Sequence, residues 1–170
     1  MKINKSVPVL VTGATGYIAG WVVKNLLDEG ITVHAPIRHL ANTQKRVHLD
    51  KIAENSSGEI KYFESDLMIE NSYKEAMEGC ELVIHTASPF VMDSKDPQKD
   101  VIEPALKGTQ NVLKTVNETD SVKRVVLTSS VAAIYGNGID GQSVEGGMFN
   151  ESMWNTTSTS TDGEYSYSKT

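Results

Sequence analysis

A glycine turn that directly follows an apolar strand restricts the fold of this chain more than any other feature. Residues 9–20 read Val-Leu-Val-Thr-Gly-Ala-Thr-Gly-Tyr-Ile-Ala-Gly. The apolar run predicts a strand over 7–11, and Gly13 and Gly16 enclose a turn in which the backbone must approach another group closely. A strand, a tight glycine turn and a helix in this order predict the first βα unit of a parallel sheet.

The helix after the turn is predicted over about residues 17–29, with Gly30 as its stop signal. Its free N–H groups and the positive end of its dipole favour an anion at the turn, and a dinucleotide pyrophosphate is the usual occupant. Ala19 replaces the third glycine of the dinucleotide pattern, and Gly20 follows it. Glycines that serve only local turn geometry are the alternative interpretation. The predicted inner face of the helix consists of Ile18, Val22, Leu26 and Leu27.

Strand-like and helix-like segments alternate along most of the chain. We predict an α/β fold with a doubly wound parallel sheet (Rossmann), strand order 3-2-1-4-5 and helices on both faces. Continuous apolar strands such as the fifth suit a sheet covered on both faces. In the last long helix, Pro97 fits the first turn, whereas Pro104 lies deeper and is expected to kink it. The predicted strands cover 7–11, 31–37, 59–64, 81–86 and 123–129. The predicted helices cover about 17–29, 42–54, 71–78 and 98–118. The inward-facing residues predicted for the last helix are Val101, Ala105, Leu106, Val112, Leu113 and Val116.

The end of the chain has a different composition. Residues 136–161 are rich in Gly, Asn, Ser and Thr, which indicates a loop. We therefore predict a dinucleotide-binding domain over 1–136. Over 137–170 we expect a loop and the start of a further helix, both poorly ordered because they bury little apolar surface.

Composition and charge exclude several classes of protein. The formal net charge of −6 gives no electrostatic support to nucleic-acid binding. Cys80 is the only cysteine, which excludes an internal disulfide and fits a reducing compartment. No apolar run resembles a signal peptide or approaches a membrane span, so the triplet Asn155-Thr156-Thr157 matches the glycosylation pattern by chance. We expect a cytoplasmic protein with no nucleic-acid or membrane partner and no metal site.

The residues after the second predicted strand indicate which dinucleotide is bound. A site for NAD usually has an acidic residue there, which binds the ribose 2′-hydroxyl. This chain has Arg38 at that point, and Lys45 and Arg46 follow on the next predicted helix. Because a guanidinium can bind a 2′-phosphate in a fork geometry, the pattern favours NADP. An ordinary solvated basic helix face is the alternative.

Three residues in the last third of the chain form a candidate catalytic set. Ser130 follows the fifth predicted strand, at the sheet end where open α/β folds bind ligands, and a serine there can hold a carbonyl oxygen. Tyr165 and Lys169 are four residues apart and therefore share one helix face. An ammonium group one turn away makes a tyrosine a better proton donor at neutral pH. The Tyr-x-x-x-Lys pattern occurs by chance in many proteins. It indicates a catalytic pair here because a dinucleotide-binding pattern and Ser130 precede it in the chain.

Together these motifs resemble the extended short-chain dehydrogenase/reductase superfamily. Within it, the chain is most similar to the dihydroflavonol 4-reductase-like carbonyl reductases, which include the methylglyoxal and aldehyde reductases of microbes. The resemblance covers essentially the whole chain. The matching segments are Thr12-Gly13-Ala14-Thr15-Gly16-Tyr17-Ile18-Ala19, Arg38, Ser65-Asp66-Leu67, His85-Thr86-Ala87-Ser88-Pro89-Phe90, Lys95-Asp96-Pro97, Val101-Ile102-Glu103-Pro104-Ala105 and Arg124-Val125-Val126-Leu127-Thr128-Ser129-Ser130.

The resemblance implies a role for each matching residue. Ser130 would orient a substrate carbonyl, Tyr165 would protonate it, and Lys169 would bind the ribose and assist Tyr165. Arg38, with Lys45, would hold the 2′-phosphate of NADP. The remaining cofactor contacts would come from Thr12, Gly13, Thr15, Gly16, Tyr17 and Ile18 at the turn, from Asp66 and Leu67 at the adenine, and from Thr86, Ala87 and Ser88 at the nicotinamide ribose.

The implied function is an NADPH-dependent reductase that transfers hydride to a ketone or aldehyde of a small-molecule substrate. The chain departs from the family at His39-Leu40, where many relatives have Asp-Pro. It is also much shorter than family members, so we expect a fragment that lacks the C-terminal substrate domain and is inactive by itself. Two alternatives stay open: a nucleotide-sugar epimerase or dehydratase that uses NAD, and a non-enzymatic NADP-sensing regulator. Retention of Ser130, Tyr165 and Lys169 favours an enzyme.

Overall fold

The computed structural model describes residues 2–89 and 94–170. Their contacts group them into two compact units, the first within 1–87 and 110–128 and the second within 88–109 and 129–170. The two units are therefore interleaved along the sequence. The predicted domain boundary after residue 136 and the predicted poor order of 137–170 stay predictions.

A parallel sheet and its flanking helices make up most of the first unit. Each strand is shorter than predicted, and the first reaches Thr12 rather than ending at residue 11. The strands are β1 (Val9–Thr12), β2 (Val33–Ile37), β3 (Ile60–Glu64), β4 (Leu82–His85) and β5 (Arg124–Leu127); the α-helices along the chain are α1 (Tyr17–Asp28), α2 (Val47–Glu54), α3 (Lys74–Met77), α4 (Glu103–Asn117) and α5 (Glu164–Lys169).

The five strands are parallel and lie in the order β3-β2-β1-β4-β5, as predicted. Side chains of successive strand residues alternate between faces, so Val9 and Val11 point to one side of β1 and Leu10 to the other. Val9 and Val11 share a buried cluster with residues of α1 and α2. Leu10 shares a second cluster with residues of α3 and with Val112 of α4. Helices therefore cover both faces, and the doubly wound α/β fold is confirmed.

The inner face of α1 differs from the predicted one. Ala19 and Val23 are buried together with Leu26 and Leu27, whereas Ile18 is 62% exposed. The predicted and observed faces share their C-terminal residues, so apolar spacing alone does not choose between them. Ala19 and Gly20 are small enough to allow the close helix–strand packing that the dinucleotide pattern requires. This close packing turns their face of the helix toward the sheet.

Pro104 interrupts the long helix predicted over 98–118. A π-helical segment, Gln98–Ile102, precedes α4. Pro104 has no N–H to donate to the carbonyl of Asp100 four residues earlier, so the α-helical hydrogen-bond ladder is broken there. Leu106 and Leu113, which were predicted on the inward face of this helix, are instead exposed. Val126 and Leu127 of the apolar strand β5 are exposed as well.

The second unit consists of short helical segments joined by turns. Within 136–161, which was predicted to be a loop, two 3₁₀ helices form at Gly138–Ser143 and Glu145–Gly147. Another 3₁₀ helix, Val131–Ala133, follows Ser130 directly, and α5 packs against it and against the π-helical segment. Among the described residues of both units, no helix is long and apolar enough to cross a membrane.

Candidate active site

The turn between β1 and α1 needs glycine at its first position. Gly13 has a φ of +67°, and a Cβ atom there would lie 3.0 Å from the Cα of Ala87. Gly16 closes the turn by donating its N–H to the carbonyl of Gly13 at 2.8 Å. A side chain at residue 13 would therefore be strained by the backbone and would also collide with the segment after β4.

Thr12 holds that segment in place. Its Oγ1 accepts hydrogen bonds from the N–H groups of Thr86, at 3.2 Å, and Ala87, at 3.1 Å, and lies 2.7 Å from Nδ1 of His85. A hydroxyl has two lone pairs and one proton, so with both lone pairs in use the proton is donated to His85 Nδ1. This assigns the neutral His85 tautomer that carries its hydrogen on Nε2. The Thr86 hydroxyl also donates to the Thr12 carbonyl at 2.5 Å.

The predicted cofactor roles of Thr12, Thr86 and Ala87 stay predictions, but the structure adds a second role. Through this network the three residues join the carboxyl ends of β1 and β4. Sequence reasoning did not assign His85 a part in the site. His85 entered the sequence analysis only as the first residue of a segment that carries the resemblance, and the tertiary structure places its buried ring against Thr12.

The N-terminus of α1 fits an anionic group such as a dinucleotide pyrophosphate. The first turn carries no acidic side chain, and no side chain caps Gly16. Thr15 is partly buried in the turn, while Tyr17 and Ile18 are exposed beside it. The unused N–H groups and the positive end of the helix dipole both favour a phosphate here.

Three basic residues after β2 have different surroundings. Arg46 pairs with Asp50 at 3.7 Å, and its guanidinium lies 4.5 Å from the ring centroid of Tyr62. Arg38 and Lys45 are exposed, and within residues 2–89 and 94–170 no hydrogen bond or ion pair engages either side chain. Arg46 therefore serves the fold, and Arg38 and Lys45 are available to a phosphate.

Residues 66 and 67 lie in a constrained loop after β3. The Asp66 carboxylate accepts the N–H of Met68 at 2.8 Å, and the Ser72 hydroxyl donates to the Asp66 carbonyl at 2.7 Å. The Leu67 carbonyl accepts the side-chain amide of Asn111 at 2.8 Å. These bonds hold the loop that was predicted to border the adenine.

The second unit contains all three predicted catalytic residues. The Nζ atom of Lys169 lies 4.9 Å from the ring centroid of Tyr165, which confirms that the two share a face of α5. Lys169 also donates to the hydroxyl of Ser88. Partial burial lowers the pKa of Lys169 from its ordinary value. Ser130 accepts the N–H of Ala132 at 3.2 Å and so caps the 3₁₀ helix against which α5 packs.

Comparison with known proteins identifies the family. The profile of the NAD-dependent epimerase/dehydratase family matches residues 9–170. The chain belongs to this family. The expected resemblance to extended short-chain dehydrogenase/reductases is thereby confirmed. Phe90, which is part of one matching motif, lies outside the described residues.

Relatives within the family are reductases. The chain is 48% identical over 130 residues to cinnamoyl-CoA reductase CAD2 of Medicago truncatula, covering 76% of this chain and 40% of that protein. It is 40% identical over 144 residues to anthocyanidin reductase of Arabidopsis thaliana, covering 85% and 41%. It is 32% identical over 169 residues to dihydroflavonol 4-reductase of Gerbera hybrida, covering 99% and 43%. The chain thus spans less than half the length of these relatives.

Solved structures of similar fold include reductases complexed with NADPH. Gre2 of Candida albicans in complex with NADPH superposes with a TM-score of 0.78 at 29% identity, covering 96% of this chain and 49% of that one. Yeast methylglyoxal/isovaleraldehyde reductase Gre2, also complexed with NADPH, gives a TM-score of 0.77 at 28% identity, covering 95% and 49%. These similarities support an NADP-type reductase family for this chain.

Proposed function

We propose that the intact gene product is an NADPH-dependent reductase that converts the ketone or aldehyde group of a small molecule to an alcohol. The observation that carries the proposal is the arrangement on α5. The ammonium of Lys169 lies 4.9 Å from the Tyr165 ring centroid and is bonded to Ser88. The 3₁₀ helix capped by Ser130 packs against the same helix.

Each of these residues has a task in such a reduction. A bound dinucleotide would supply the hydride that the carbonyl carbon takes up. The hydroxyl of Ser130 donates a hydrogen bond to the carbonyl oxygen and orients it. Tyr165 delivers the proton that this oxygen takes up, and Lys169 stabilises the resulting phenolate with its positive charge. One hydride and one proton account for the two hydrogens gained by the substrate.

The preference for NADPH is part of the proposal. Its support is the pair of unengaged cations, Arg38 and Lys45, after β2. No acidic residue stands at the end of that strand to bind a ribose 2′-hydroxyl. That similar solved reductases are complexed with NADPH gives further support. Inactivity of the 170-residue chain alone stays a prediction.

Removal of the proton donor tests the proposal. In the intact gene product, Tyr165→Phe should lower kcat on the order of 10²–10⁴-fold, the amount a lost general acid costs. NADPH consumption is followed with methylglyoxal, isovaleraldehyde and an aromatic ketone as substrates. The matched control is Tyr167→Phe, because Tyr167 lies on α5 but is 44% exposed. We expect the control to retain its rate within about twofold, since it loses no general acid.

The outcomes separate the alternatives. A Tyr165→Phe enzyme with an undiminished rate would refute the assigned mechanism. Conversion of a nucleotide sugar without net consumption of added NADPH would indicate the epimerase or dehydratase alternative. Tight NADPH binding without turnover of any carbonyl would indicate the regulator.

A further inference from the structure

Asn155 is a buried side chain that the proposed reaction does not use. It is 6% exposed and lies in the second unit, ten residues before Tyr165. Its amide nitrogen donates to the carbonyl of Ala132 at 3.0 Å and to the hydroxyl of Ser158 at 2.9 Å. Its amide oxygen accepts the N–H groups of Thr157 and Ser158, both at 3.1 Å. Every donor and acceptor of the side chain is thus engaged inside the protein.

The main chain of Asn155 binds the same segment. Its N–H donates to the carbonyl of Ala133 at 2.9 Å. Two bonds therefore run from one residue to Ala132 and Ala133, which form the 3₁₀ turn that Ser130 caps. The position of Ser130 depends on this turn, since the Ser130 hydroxyl is itself bonded to the N–H of Ala132.

A second set of contacts strengthens the connection. The Thr157 hydroxyl donates to the carboxylate of Asp140 at 2.8 Å, and this carboxylate accepts the N–H of Gly136 at 2.9 Å. A Cβ atom at Gly136 would lie only 2.5 Å from the Thr157 hydroxyl. Residues 155–158 therefore pack closely against the part of the chain that follows Ser130.

The same turn also touches the start of α5. A Cβ atom at Gly163 would lie 3.0 Å from the Ser158 hydroxyl, and Gly163 is the residue immediately before α5. Ser158 is bonded twice to Asn155: its hydroxyl accepts from the Asn155 amide nitrogen, and its N–H donates to the Asn155 amide oxygen. Hydrogen bonds thus join the Ser130 turn to Asn155 and Ser158, and the N–H of Thr159, the next residue, donates to the carbonyl of Asp162 at 2.8 Å, two residues before the helix that carries Tyr165 and Lys169.

We propose that Asn155 is a positioning residue that sets the placement of Ser130 relative to Tyr165 for proton transfer to the substrate carbonyl. The inference rests on the proposed function, because it assigns Asn155 to the same reaction. Its burial also means that the Asn155-Thr156-Thr157 triplet does not present a free amide to a modifying enzyme in the folded protein. The amide group instead holds the backbone of Ala132 and the hydroxyl of Ser158 in place.

Asn155→Asp is the informative substitution. Aspartate has nearly the same shape and keeps the acceptors, but it loses the amide hydrogens that bind Ala132 and Ser158. In the intact gene product we expect kcat to fall about 10–100-fold, the scale of loss for a small misplacement of catalytic groups. The dissociation constant for NADPH should remain unchanged. The isotope effect on kcat with NADPH deuterated at the transferred position should rise, because the chemical step becomes slower.

Asn150→Asp is the matched control. Among the described residues, the Asn150 side chain accepts only from the N–H and hydroxyl of Ser152, in an exposed local turn of the same unit. The chemical change is the same, but no contact with the Ser130 turn is lost. We expect kcat and the isotope effect to stay as in the wild type.

A double-substitution cycle separates positioning from a general loss of folding. If Asn155 acts through Ser130, then Asn155→Asp should cause no further loss of kcat in a Ser130→Ala background. An equal loss in both backgrounds, or a lower kcat with an unchanged isotope effect, would overturn the inference. If Ser130→Ala itself leaves kcat unchanged, the proposed function fails and the inference fails with it. If only Asn155→Asp is without effect, the inference alone fails.

Thr157→Val provides a second variant in case Asn155→Asp does not fold. Valine has the shape of threonine but lacks the hydroxyl, which donates to Asp140 at 2.8 Å and lies 3.3 Å from the Asn155 amide oxygen. A reduction in kcat of several-fold, with a raised isotope effect and unchanged NADPH binding, is expected. An unaltered kcat in folded Thr157→Val would contradict the proposed network.

Discussion

Arg38 and Arg46 show how burial and partners give one residue type two different uses. Both follow β2, and both were counted in the basic cluster predicted from the sequence. Arg46 is committed to Asp50 and to the face of Tyr62. Arg38 is exposed and, in the part of the chain that the structure describes, makes no ion pair. Of these two arginines, Arg38 is therefore the one that can bind a phosphate without giving up an ion pair.

Arg38→Ala should therefore change the choice of cofactor. A charge-assisted contact to a 2′-phosphate contributes about 1.5–3 kcal/mol, so NADPH affinity should fall by roughly one to two decades. NADH affinity should stay nearly constant, because NADH has no 2′-phosphate. Titration calorimetry with both dinucleotides measures the two constants. Lys51→Ala, at an exposed position of α2, is the control substitution of a cation. A preference for NADPH that survives Arg38→Ala would show that another group binds the 2′-phosphate.

At the scale of elements, the β1–α1 turn combines two separate demands on one glycine. Gly13 needs a positive φ, and it also needs space, because Ala87 is held against it by the Thr12 network. Gly79, in the turn before β4, has a similar φ of +76° but no atom within 4 Å of an added Cβ. The two glycines therefore allow strain and collision to be measured separately.

Gly79→Ala should lower the free energy of unfolding by about 1–2 kcal/mol, the cost of placing a Cβ in left-handed backbone. Gly13→Ala should lower it further and should also abolish NADPH binding, because the Ala87 segment must move. Urea denaturation and dinucleotide titration measure the two effects. Equal destabilisation by the two substitutions would mean that the contact with Ala87 is not tight in solution.

At the scale of the whole molecule, a buried histidine makes folding depend on pH. The Nδ1 atom of His34 donates to the carbonyl of Ala76 at 2.8 Å, and the ring lies against Phe63 with its centroid 4.7 Å away. Burial lowers the pKa of His34 below its ordinary value of 6.5, and the nearby charge of Lys61 acts in the same direction. Beside it, burial raises the pKa of the Cys80 thiol to about 12, which makes this cysteine unreactive in the folded chain.

The direction of the pH effect follows from the lowered pKa. The unfolded chain takes up a proton at His34 near pH 6.5, whereas the folded chain does so only at lower pH. Stability from this residue is therefore complete above pH 6.5 and is lost as the pH falls below it, by up to about 1.4 kcal/mol per pH unit. We expect His34→Gln, which keeps an N–H donor, to flatten the slope of unfolding free energy against pH. An identical slope in both proteins would exclude His34 as the cause.

Several features of the fold were predictable because they depend on local pattern. The alternation of apolar strands and amphipathic helices specified the parallel order β3-β2-β1-β4-β5. The spacing of Tyr165 and Lys169 placed them on one helix face, as observed. The face of α1 was predicted wrongly, since overlapping apolar rows differ only in how closely they let a helix approach the sheet. The exposure of Leu106 and Val126 was not predicted from the sequence for a related reason: that a side chain is apolar does not specify which other surface packs against it.

Residue type and short-range spacing were enough to predict the fold class, the glycine turn and the position of Arg38 after β2, and to nominate Ser130, Tyr165 and Lys169 as candidate catalytic residues. Only the tertiary structure decided that Thr12 binds His85 and residues 86–87, that Arg46 is used by Asp50 and Tyr62, and that Asn155 joins the Ser130 turn to α5. Such networks depend on which polar groups are buried together, and hydrogen-bond partners distant in sequence leave no periodic signal along the chain.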